Sequence, residues 1–171
     1  MNKNPIGGHP FHKKSRVLFQ SEKESDMIGF LIAMLSGALM SVQGVFNTQV
    51  SKTAGTWTTN AFVQLTAFIV CLAAWGATER SSFGALLKVE PKYMLLGGVL
   101  GALITLTVIK SMAALGPAFS TMLIVTTQVT AAYLIEVFGL FGVEKAEFEI
   151  RKLIGLLAVI GGMILFEWKS K

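Results

Sequence analysis

Five side chains stand out because each brings a strong polar group into otherwise apolar sequence: Gln43, Asn47, Gln64, Gln128 and Glu136. An amide both donates and accepts hydrogen bonds, and a carboxylate can hold a cation or a proton. In hydrocarbon such groups are costly unless they turn toward other helices or a water-filled cavity. Their spacing is helical. Ala33, Ser36, Gly37, Met40, Gln43, Gly44, Asn47 and Ser51 recur at intervals of three and four, as do Asn60, Gln64, Ala67, Cys71 and Ala74. Thr121 and Gln128 align at seven, beside Ser120 and Thr127, and Glu136 follows two turns beyond. If these faces converge they line a polar cavity for a small solute. The same amides would serve equally as contacts between helices, worth about 0.6 kcal/mol each. Serine and threonine hydroxyls are expected to bond back to their own helices. Glu136 either faces the cavity, where it would bind a cation or a proton, or is solvated at headgroup level.

The elements that carry these residues follow from composition. Of 171 residues, 53% are hydrophobic and only 15% charged, with a mean hydropathy of +0.61. A soluble domain carries about 25% charge, so the chain is read as an all-α, polytopic membrane protein. Spans of roughly 17–25 apolar residues cross a bilayer core. Five are expected, at 27–50, 57–77, 93–109, 117–138 and 153–168. The last is short, and Arg151, Lys152, Trp168 and Lys169 are expected to anchor its ends. Gly116-Pro117 should turn the third span into the fourth as antiparallel neighbours. Gly97, Gly101 and Thr105, with Gly98 and Ala102, and further on Gly155, Ala158 and Gly162, make small-residue rows suited to close helix packing.

Residues 1–26 are polar, lack a signal peptide's apolar core, and are expected to form a disordered tail ahead of a five-helix domain at 27–171. His9 and His12 fall in it, and no metal site is expected. The lone Cys71 excludes a disulfide framework and is expected to be an inert buried thiol. The formal charge of +5 does not point to nucleic acid, since its basic residues sit between apolar runs. It reads instead as an orientation signal. The side holding the N-terminus has eleven lysines and arginines against four, but only six against four once the tail is set aside. That balance admits both orientations. No histidine follows residue 12 and no serine–histidine, serine–lysine or paired-carboxylate arrangement lies in the spans, so neither an enzyme nor a bound cofactor is expected.

Gln43-Gly44 with Asn47, Gly97-Gly98 with Gly101-Ala102, Leu115-Gly116, Gln128, and Phe138-Gly139-Leu140-Phe141-Gly142 followed by Arg151 and Gly155 resemble the YdcZ-like branch of the drug/metabolite transporter superfamily. The resemblance covers roughly Met27 to Trp168. It implies a short bacterial inner-membrane protein of about five helices and a transporter architecture, without naming a substrate. Two places depart from the family pattern. Thr127 stands where a glycine is common, and Glu136-Val137 where an aspartate–histidine pair is common, so the acid is kept in kind and the histidine is not. Five helices cannot contain an inverted repeat alone, and many transporters rock two such repeats about a central site. The expectation is therefore half of a drug/metabolite-transporter-like bundle. It would export a small metabolite or drug as a homodimer, parallel or antiparallel, or with a paralogous partner. A non-transporting subunit or assembly factor, and a channel, are the alternatives.

Overall fold

No glycine or proline interrupts the chain between Pro10 and Gly29, and lysine, arginine, glutamine, glutamate and leucine, all good helix formers, fill much of it. In the computed structural model, which describes residues 10–168, the chain is accordingly helical from Pro10 onward. Helix α1 is Pro10–Ala54, α2 Thr56–Ala77, α3 Gly97–Leu115, α4 Pro117–Phe138 and α5 Ile150–Glu167. Where the sequence reading places a tail over 1–26, residues 10–26 are thus helical, and residues 1–9, with His9, lie outside the described residues. Short 3-10 turns at Phe83–Lys88 and Lys92–Leu96 join α2 to α3.

Two units divide the chain at residue 42. The first holds most of α1, whose side chains from Asp26 to Met40 are exposed throughout. The second, residues 43–171, holds the end of α1 and the other four helices. Within it α2 packs on α3, α3 on α4 and α4 on α5. α4 and α5 run antiparallel: Thr126, midway along α4, meets Met163 near the end of α5, while Glu136 near the end of α4 meets Lys152 in the first turn of α5. Ser111 and Ser120 hydroxyls meet at 2.6 Å across the α3–α4 turn, as antiparallel neighbours require.

α3 touches both preceding helices. Asn60 Nδ2 of α2 donates to the Ala102 carbonyl at 2.8 Å. Farther along α3, Met112 and Val108 crowd Gly44 of α1 so closely that a Cβ there would lie 2.5 Å from Met112 Cε. The buried side chains among those described are Asn47, Thr48, Thr59, Asn60, Ile109 and Met112 on α1 to α3, and Ser120 and Thr126 on α4. Ile109 and Met112 are the buried large apolar residues among those described, while dozens of others, from Met27 to Trp168, are exposed. In water, leaving that surface uncovered would cost about 25 cal/mol per Å². Lipid removes the penalty, because its tails are as apolar as leucine.

Four segments are long and apolar enough to cross a membrane: Asp26–Ala54, Thr56–Ala77, Lys92–Leu115 and Pro117–Phe138. With no strand among the described residues, this is an all-α polytopic membrane protein. The third span runs beyond the expected Ile109, because no helix breaker intervenes before Gly116, and it carries Lys110 inside the helix, where its long stem can snorkel outward. α5 is helical but holds Arg151, Lys152 and Glu167, and its apolar stretch is shorter than the other four.

Candidate functional site

Two cavities lie beside the sequence-predicted residues. The larger, about 560 Å³, opens between the end of α1 and α2. Gln43 and Asn47 line one wall, with Phe46 and Val50 on the same helix, and Thr59, Thr66 and Cys71 lie opposite. The interval of four from Gln43 to Asn47, continued by Phe46 and Val50, puts all four on one side of α1. Gln43 is exposed into this space and Asn47 is 9% exposed at its edge. Cys71 is exposed on the wall, not buried as expected. The bilayer explains the difference: an apolar run need not be covered by protein when lipid surrounds it.

Gln64 turns away from this cavity toward α3. Its Nε2 stands 4.0 Å from where a Cβ on Gly101 would be, so the small-residue row of α3 is what admits the amide. Asn60, one turn earlier on the same stripe, is the more deeply placed of the two at 3% exposure. Its Nδ2 is bonded, but its Oδ1 is buried without a partner. Asn60 belongs to the helical stripe that is legible in the sequence. Its burial came from the α3 crossing, which no spacing rule reveals.

Hydroxyls mostly bond back to their own helices, as expected. Thr48 donates to Gly44, Thr59 to Gly55, Thr126 to Met122 and Thr127 to Leu123, each to the carbonyl four residues earlier. The Ser111 and Ser120 hydroxyls instead bridge α3 and α4. Gln128 is exposed on α4.

The second cavity, about 350 Å³, lies between α4 and α5 and contains Glu136. Lys152 Nζ is 3.7 Å from the Glu136 carboxylate and 3.6 Å from that of Glu149. It also sits 5.8 Å from the centre of the Tyr133 ring. Glu136 is about half exposed. Its backbone carbonyl accepts from Gly139 and Ala146 as the chain turns through Gly139, whose φ of 63° and ψ of 39° end α4 in the left-handed region. Within this turn Phe141 has φ 57°, an uncommon value for a residue with a Cβ, and its ring meets Tyr93 edge-on at 6.3 Å. Sequence reasoning named Lys152 only as an interfacial anchor and did not single out Tyr133. The structure therefore pairs Gln43 with Asn47 and sets Gln64, Gln128 and Glu136 apart from them within one chain.

Residues 28–165 match the model of the family described as "Putative inner membrane exporter, YdcZ". No curated protein and no solved structure matches the chain. The matched stretch takes in nearly all of the apolar helices, both cavities and each of the five residues above. The chain belongs to the YdcZ family.

Proposed function

We propose that this chain is a secondary exporter of a small metabolite or drug in the bacterial inner membrane, and that it works as a dimer. The observation that carries the reading is the cavity between α1 and α2, where two amides, Gln43 and Asn47, stand in walls that are otherwise mainly apolar. That is the composition of a small-molecule site: apolar surface for affinity and a few polar groups for orientation. Gln64, Gln128 and Glu136 complete the binding set when a second unit brings further helices against the first. α5 crosses the bilayer as a fifth span, anchored by Arg151 and Lys152 at one end and Trp168 at the other. The unit is then half of an inverted-repeat bundle of the drug/metabolite transporter type, completed by a second copy or a paralogue. No bound cofactor is required.

The test is efflux of a panel of amphipathic compounds from proteoliposomes. Gln43→Ala and Asn47→Ala should each lower the rate about tenfold or more for a transported compound, as expected when an orienting hydrogen bond worth about 1.5 kcal/mol is lost. Undiminished flux in both variants, with the protein folded, would remove the site. Flux that rises linearly with concentration would indicate a channel, and none with any compound a non-transporting subunit.

A further inference from the structure

The α4–α5 cavity has a different chemistry from the α1–α2 cavity. Val129, Ala132, Leu156 and Val159 make apolar walls, and Gly155 adds no side chain to them. Tyr133, Glu136 and Lys152 complete the lining. There two carboxylates, Glu136 and Glu149, share one ammonium at 3.7 and 3.6 Å. One ammonium against two carboxylates leaves this cluster one positive charge short. The Tyr133 ring lies within the roughly 6 Å at which a cation is attracted to an aromatic face. It is held in place by its hydroxyl, which accepts from the Glu149 N–H and donates to the Glu149 carbonyl, both at 3.2 Å.

We propose that this cavity binds an organic ammonium cation with an apolar body, and that Lys152 is its built-in competitor, displaced when the ligand enters. The proposal rests on the reading of Glu136 as a ligand-binding residue and adds the ligand's class. An anion is disfavoured by the carboxylates and the ring face. A metal ion is disfavoured by apolar walls that offer one carboxylate among the lining residues. The C-terminus of α4 and the N-terminus of α5 meet here with partial charges of opposite sign, which offset each other and leave selection to the side chains. Glu136 and Lys152 are 47% and 43% exposed, and an ion pair that open is weak enough to be exchanged.

The experiment is calorimetric titration of the full chain in phosphatidylglycerol nanodiscs with benzyltrimethylammonium, against phenylmethanesulfonate as the anion of similar size. The cation should bind and the anion should not. Lys152→Gln should tighten cation binding about fivefold by removing the competitor, Lys152→Arg should leave it within about twofold, and Glu136→Gln should weaken it about fivefold or more. Adding phosphatidylethanolamine separates two sources of the same chemistry. A fall in probe affinity assigns the site to an ammonium-bearing lipid headgroup, and an unchanged value to a free cation. Unchanged or weaker binding in Lys152→Gln, or equal binding of cation and anion, overturns the proposal. Should Glu136→Gln fail to fold, the two Lys152 variants still decide. Binding without efflux would overturn the transport reading alone, and efflux that depends on Gln43 with no cation bound here would overturn this site alone.

Discussion

Gly44 shows how one residue sets a helix crossing. A Cβ there would stand 2.5 Å from Met112 Cε, 2.8 Å from its Sδ and 3.3 Å from Val108 Cγ1. The methionine end is flexible and can move aside, and alanine is about 1 kcal/mol the better helix former. Gly44→Ala should therefore be near neutral in thermal unfolding. Gly44→Val cannot be accommodated by the methionine alone and should cost about 1–3 kcal/mol through overpacking. Met112→Ala in the Gly44→Val background should recover part of that loss, and no recovery would mean that the contact is unimportant. Gln43, Asn47 and Glu136 were legible in the sequence because a polar group in an apolar span is conspicuous. Lys152 was not legible as the partner of Glu136. It lies sixteen positions away across a turn, and among interfacial charges nothing marks one lysine as the closer.

At the scale of elements, the ends were readable wherever glycine or proline set them. Gly116 has φ 80° and serves both as the stop of α3 and the start of α4, with Pro117 in the first turn of the next helix. With ψ 159° this is an extended conformation that only glycine adopts readily, so Gly116→Ala should cost about 1–3 kcal/mol. Pro117→Ala, which loses only a preset φ, should cost less than about 1 kcal/mol. Denaturation midpoints in detergent would compare them, and equal losses would contradict the assignment. The boundaries that differed lack such markers. α1 extends to Pro10 and α3 continues through Lys110 because helix propensity persists past the point where hydropathy falls. A change of polarity marks where the membrane ends and need not mark where the helix does.

The whole molecule leaves large apolar side chains such as Phe30, Leu31, Leu35 and Leu39 exposed on α1. Lipid can cover them, and so can a second copy. The balance of six basic residues against four beyond the tail gives little preference for one orientation. Both accord with an antiparallel form of the proposed dimer, which has a measurable consequence. In a Cys71→Ser chain carrying one cysteine at Lys171, a membrane-impermeant maleimide should label about half the molecules from each side of native vesicles, as expected when charge bias is weak. Labelling from one side only would leave a parallel dimer or a paralogous partner.

The sequence by itself determined the solvent and the class of fold, since a chain this poor in charge can satisfy its backbone in lipid only through helices or a closed barrel, and its glycines and prolines punctuate helices. It also determined which residues are chemically able to bind a solute. Only the tertiary structure decided which of them meet. Gln43 joins Asn47, Gln64 turns to Gly101, and Glu136 finds Lys152 over the Tyr133 ring. Periodicity fixes the face of a helix on which a residue stands. The neighbour that face receives depends on where helices cross, and that is set by contacts such as Gly44 against Met112, between residues far apart in the chain.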